Sequence, residues 1–148
     1  MNKQRGLLAA IMALVMVFAG AAFVAAEVDA VVDSTDVAKI GDEGFETLKD
    51  AIAAANENSE IELLKDATLD TIYDGAGIYQ WIGNNVPITI NGNGNKLSFN
   101  PANTTVHVSD DITFKNIVIV PQTNDQYLSI GNNTVVFEKV TWDSNGYQ

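Results

Sequence analysis

Few side chains in this sequence could do chemistry. Asp110 and Asp111 are adjacent carboxylates, raw material for acid–base catalysis or for an oxygen-ligated calcium ion. His107 is the sole histidine. Tyr79, Trp81, Trp142 and Tyr147 offer aromatic surfaces of the kind that stack on sugars if they face outward. Asn103-Thr104-Thr105 and Asn132-Asn133-Thr134 are sequons, so Asn103 and Asn132 are candidate glycosylation sites on a secretory route that glycosylates. Each of these has a plainer role. The aspartates lie between an apolar strand end and another strand, where turn residues belong. His107 is flanked by Val106 and Val108, so inward valines place it outward, with no Ser or Asp tied to it as a triad would need. Trp142 shares its phase with Val140 and is expected in the core or as an end cap, whereas alternation leaves the side of Trp81 open.

The elements that must carry these residues repeat. Ile82-Gly83-Asn84-Asn85 returns as Ile130-Gly131-Asn132-Asn133, 48 residues later, and Val108-Ser109-Asp110-Asp111 stands between them. The aspartate pair therefore occupies the slot that Asn-Asn holds in both neighbours, the place of a turn residue. After each head comes an alternating strand: Ile88-Thr89-Ile90, Ile112-Thr113-Phe114, Val135-Val136-Phe137. A third set follows: Leu97-Ser98-Phe99, Ile117-Val118-Ile119, Val140-Thr141-Trp142. Three short strands in about 24 residues leave no room for crossover helices. They can wind as a solenoid, each coil parallel on the last, with apolar residues stacked inside and Asn pairs laddering at the turns. A sandwich of antiparallel strands does not account for such an echo. Asn91-Gly92-Asn93, with Gly94, supplies the positive-φ positions of a corner.

Before the repeats, Val37–Ile40, a Gly41-Asp42-Glu43-Gly44 turn and Phe45 spell a hairpin. Thr47-Leu48-Lys49-Asp50 fits a capping box, and Leu48, Ala51, Ile52 and Ala55 make one apolar stripe of a short helix. Ile61–Leu64 and Ala67–Leu69 are strands, and Tyr73–Gly77 is a loop excursion.

At the N-terminus, Lys3 and Arg5 precede Leu7–Ala26, a run without polar side chains that ends in Val24-Ala25-Ala26. That is a secretory signal peptide over 1–26, with cleavage between Ala26 and Glu27; uncleaved, it would serve as a membrane anchor. Residues 27–36 form an acidic lead-in, and 37–148 are the solenoid with its hairpin and helix. From Glu27 onward six lysines face 19 acidic residues, a net charge of −13. Such a surface repels phosphate backbones and anionic lipids, which argues against nucleic-acid binding and suits solubility outside the cell. The absence of cysteine excludes disulfides and thiol chemistry. The last coil ends near Trp142 without a cap, so the chain is expected to be a fragment of a longer protein or to dock that end on a partner.

Phe45–Ile52, Ile61–Asp66 and Ile88–Gly94 together resemble the opening of right-handed parallel β-helix proteins of the pectate-lyase-like superfamily, and in particular the N-terminal portion of prokaryotic adhesin-like surface proteins. The resemblance spans about residues 37 to 142. It implies an all-β fold, a right-handed parallel β-helix of about three to four coils with an N-terminal capping helix. For function it implies an exported or cell-surface protein with a structural or adhesin-like role, whose partners would be surface glycans or other surface proteins. The alternative is the N-terminal part of a secreted polysaccharide lyase or hydrolase. Pectate lyases resemble one another in using a basic residue, usually Arg, beside acidic calcium ligands, and the sole Arg here is Arg5. Of the four motifs polygalacturonases carry, only the Asp-Asp is matched, by Asp110-Asp111. No catalytic residue, metal site or cofactor is assigned on these grounds.

Overall fold

A computed structural model describes residues 32–69, 72–74, 77–101, 105–144 and 146, with the side chains of 72–74 and 77–79 left aside. The segments 1–26 and 27–31, with Ala26 and Glu27, lie outside the described residues, as do Asn103 and Tyr147.

The chain opens with strands β1 (Ala38–Ile40) and β2 (Glu43–Phe45), an antiparallel hairpin. Helix α1 (Leu48–Ala54) follows. Thr47 caps it: its Oγ1 accepts from the Asp50 amide at 3.0 Å and donates to Asp50 Oδ2 at 2.7 Å. The carboxylate thus closes the box on the hydroxyl rather than on the Thr47 amide, a variation on the expected reciprocal pair. Leu48, Ala51, Ile52 and Ala55 are all buried, as the stripe requires.

Next come β3 (Ser59–Leu63), β4 (Ala67–Leu69), β5 (Ile72–Asp74) and β6 (Gly77–Ile82). The expected loop at Tyr73–Gly77 is instead a hairpin: β5 and β6 pair antiparallel, with Asp74 opposite Gly77. The second coil is β7 (Ile88–Asn91), β8 (Lys96–Phe99) and β9 (Thr105–Val108). The third is β10 (Ile112–Lys115), β11 (Val118–Val120) and β12 (Tyr127–Ser129), and β13 (Val135–Glu138) and β14 (Thr141–Trp142) begin a fourth.

Strands from successive coils stack into three sheets: β3-β7-β10-β13, extended at the β3 edge by β1 and β2; β4-β8-β11-β14; and β6-β9-β12, with β5 beyond β6. Every pairing between coils is parallel. This is a parallel β-helix of three to four coils. Its interior is built in columns. Ile61, Ile90, Phe114 and Phe137 are register partners in the first sheet, and Phe114 and Phe137 stack at 5.7 Å and 11°. In the second sheet Leu97, Ile119 and Trp142 align. The register partner of Leu97 is thus Ile119, not Ile117. The corner before β8 uses four residues, Gly92–Asn95, whereas the corner before β11 uses two, so the interval between partners falls from 24 residues in the first sheet to 22 in the second. Ile117 instead packs over Gly92 at the corner.

The last three corners from the first sheet to the second each hold a residue with φ near +50°: Asn93 (51°), Asn116 (47°) and Lys139 (53°). Asparagine suits that conformation because its short amide can bond locally. The asparagine ladder forms here, not at the Asn-Asn heads. Asn91 Oδ1 accepts from the Asn93 amide at 3.1 Å and from Asn116 Nδ2 at 3.5 Å, and Asn91 Nδ2 donates to Glu60 Oε1 at 2.7 Å. At each head one polar side chain reaches a backbone carbonyl instead. Asn84 Nδ2 donates to Ala55 O at 2.7 Å, Ser109 Oγ to Ile82 O at 3.4 Å, and Asn133 Nδ2 to Val108 O at 2.7 Å.

The two ends differ. At one, β1 lies antiparallel on β3 and α1 closes the core. At the other, Phe137 and Trp142 hold inward positions yet are 46% and 53% exposed, over a hollow of about 410 Å³ that Phe99, Leu128 and Val135 also line.

Candidate binding site

The sites expected from sequence separate once they are placed. Asp110 Oδ1 accepts from the Asp111 amide at 2.7 Å, and Asp111 Oδ1 accepts from the Thr134 amide of the next coil at 2.6 Å. Asp66 does the same at another corner, accepting from the Lys96 amide at 2.8 Å. A corner amide has no strand partner, and a carboxylate supplies one with a charge-assisted bond. Asp111 therefore joins coils, while Asp110 braces its own turn. Among the described residues no three His, Asp or Glu side chains converge as metal ligands would.

This placement makes a prediction. Asp111→Ala should lower stability by about 1–2 kcal/mol, the range for a bond to a charged acceptor near solvent. Asp111→Asn keeps an acceptor oxygen and should lose less than half as much. Urea unfolding midpoints of the two variants decide it, and an equal loss would count against the Thr134 contact.

The aromatic residues scatter as well. Trp142 stands at the exposed end, edge-on to Phe137 at 5.8 Å. Tyr147 and the side chain of Tyr79 lie outside the described residues. Asn132 is exposed in the turn after β12; Asn133 and not Asn132 makes the bond to Val108, so the acceptor amide of the sequon is left on the surface.

Trp81 and His107 do come together. Gln80, Val106 and Leu128 align on the inner side of the third sheet, and Ile82 and Val108 likewise. Gln80, Val106, Ile82 and Val108 are buried. Alternation then turns Trp81 and His107 outward, and as register partners they stack at 4.8 Å with 30° between the rings. The outward placement of His107 agrees with its valine neighbours. The side of Trp81 was ambiguous in sequence because one inward position of β6 is a glutamine: Gln80 is fully buried, its Nε2 donating to Leu69 O. A polar residue at a core phase hides the period of a six-residue strand. The register of Ile82 with the repeat heads was the signal that could have settled it.

On the other side of Trp81, toward α1, lies a groove of about 130 Å³. Lys49, Ile52 and Ala53 of the helix form one wall; Trp81, Gly83 and Asn84 form the other, with Leu69 between. Asn84 ties the two walls together through its bond to Ala55 O, the residue that caps the helix C-terminus. That bond fixes the amide orientation, so Asn84 Oδ1 is the outstanding acceptor. It is almost without solvent contact and has no donor. Such an atom costs about 1–3 kcal/mol, and a deficit of this kind calls for a functional or structural reason. The Lys49 side chain is exposed on the rim and forms none of the ion pairs seen among the described residues, which engage Lys39, Lys96 and Lys115. Sequence reasoning missed this groove because its walls are 30 residues apart and neither carries a motif.

Comparison with protein-family models, with curated proteins and with solved structures finds no match for the chain.

Proposed function

We propose that this chain is an exported cell-surface protein with a structural or adhesin-like role, a stiff β-helix that presents a sugar-contacting face on the outside of its third sheet. The observation that carries the reading is the outward Trp81–His107 stack. A large ring held on a strand of a stacked sheet loses little freedom on binding, and an aromatic face paired with a polar ring suits a ligand with both apolar and hydroxyl surfaces. The charge of the region after Glu27 fits the same role, because a strongly acidic surface keeps an exported rod soluble and monomeric. Likeness to the adhesin-like surface proteins of the pectate-lyase-like superfamily belongs to this proposal too, resting on the residues of the helix, the Leu-Lys-Asp strand end and the Asn-Gly corner.

The test has two parts. Protease treatment of intact producing cells should remove the protein without lysis. Purified residues 27–148 should be retained by at least one class of glycan on an array. Protection from protease together with an array silent for every glycan would sink the reading.

A further inference from the structure

The groove between α1 and Trp81 has a shape and chemistry that specify a ligand class. Trp81 carries His107 on the side of the following coil and the groove on the side of the helix, so one side of the ring is already stacked and the other is the one a ligand meets. On the opposite wall α1 presents the apolar side chains of Ile52 and Ala53. One charged group flanks the aromatic wall: the Lys49 ammonium is a donor outside the ion pairs of the described residues. A ligand that fits must therefore combine a flat apolar patch with oxygens able to accept. A pyranose ring is such a molecule: its axial C–H face stacks on an aromatic ring, and its hydroxyl oxygens accept. At about 130 Å³ the groove has room for one ring, well below the volume of a typical small-molecule pocket.

Charge narrows the class further. Glu46, Lys49 and Asp50 cluster at the start of the helix with a net negative charge, and the region from Glu27 onward carries −13, six lysines against 19 acids. A sugar carboxylate would meet Lys49 against that field, whereas a neutral ring meets no opposing field. We infer that the groove lined by Lys49, Ala53, Trp81 and Asn84 binds one neutral pyranose unit of a glycan, stacked on Trp81, with Lys49 donating to one of its hydroxyls. The inference rests on the glycan-binding reading above and names its site and sugar class.

Fluorescence tests it. The chain has two tryptophans, so Trp142→Phe leaves Trp81 as the sole tryptophan, excited selectively over the tyrosines at the red edge of absorption. Residues 27–148 with that change are titrated with methyl glycosides of glucose, galactose, mannose and N-acetylglucosamine, and with glucuronate. The expected result is a saturable change in Trp81 emission with at least one neutral glycoside, in the millimolar range, and little with glucuronate. In the otherwise native chain, Trp81→Ala should weaken binding of that glycoside about tenfold or more by calorimetry. Lys49→Ala should weaken it less, and both variants should keep the far-ultraviolet dichroism of the parent. The inference is overturned if no neutral glycoside gives saturation, if glucuronate binds better, or if Trp81→Ala binds as the parent does. Array binding that survives Trp81→Ala leaves the glycan reading standing and removes this site; an array with no bound glycan and no cell-surface exposure removes the reading itself.

Discussion

Phe114→Ala is expected to cost about 3–5 kcal/mol, among the largest single-residue losses in the chain. The side chain is fully buried, with Ile90 of the preceding coil as one register partner and Phe137 of the following coil as the other. Its removal therefore opens a cavity bounded by two coils, which cannot close unless one of them shifts. Phe137 offers an internal comparison. It has the same chemistry, the same inward phase and the same column, but it is 46% exposed. Phe137→Ala should cost about 1 kcal/mol, since nearly half of its area is already in contact with water. For a domain of this size the first change should lower the melting temperature by about 10 °C or more, and the second by only a few degrees. If Phe114→Ala does not fold, Phe114→Leu keeps most of the volume and should cost less than about 1.5 kcal/mol. Equal losses from the two alanine changes would mean that burial does not grade along the column as the stacking requires.

The column itself was legible in the sequence. Ile-Thr-Phe and Val-Val-Phe at a 23-residue spacing align in register, Ile112 with Val135 and Phe114 with Phe137. What spacing could not reveal was which part of a coil absorbs an insertion. The four-residue corner at Gly92–Asn95 and the two-residue corner at Asn116-Ile117 put Leu97 opposite Ile119, because strand pairing fixes register and corners adjust. The hairpin of β5 and β6 was likewise hidden: a glycine-rich stretch signals a turn, but it does not say whether the flanking residues pair. The candidate site was less legible still. Trp81 and His107 stood out as residue types, yet their meeting depends on a 26-residue register between β6 and β9. The groove depends on how closely α1 approaches that sheet, a distance set by Ala51 and Ala55 on the buried face of the helix. Local sequence encodes the alternation and the cap; contacts between coils become readable only after the register is known.

The closeness of the coils leads to the second large effect. At Gly92 an added Cβ would lie 2.6 Å from Ile117 Cβ and Cγ1 and 2.7 Å from Ile117 Cα. Real Cβ atoms do not approach that closely, and one of the three obstacles is main chain. Gly92→Ala should therefore cost about 3 kcal/mol or more, at or beyond the upper end for overpacking, because relief requires the third coil to move away from the second. That corner is also where Gly92 N donates to Lys115 O at 2.8 Å and Gly94 N to Asn116 O at 2.7 Å, so moving the coil breaks hydrogen bonds too. Gly94 is the control. Its φ of +86° strains any other L-residue, but nothing lies within 4 Å of the added atom. Gly94→Ala should cost only about 1–2 kcal/mol, the penalty of the left-handed conformation. A double-mutant cycle separates a clash with the outer isoleucine atoms from one with Cα and Cβ. Ile117→Ala keeps Cβ and Cα in place, so Gly92→Ala should cost nearly as much in that background as in the parent, with a coupling energy below about 0.5 kcal/mol. Recovery of most of the loss would show that the isoleucine side chain alone limits the approach. Persistence of the loss would show that the Cα and Cβ of residue 117 set the spacing, so that glycine is required at this corner whichever side chain stacks above it.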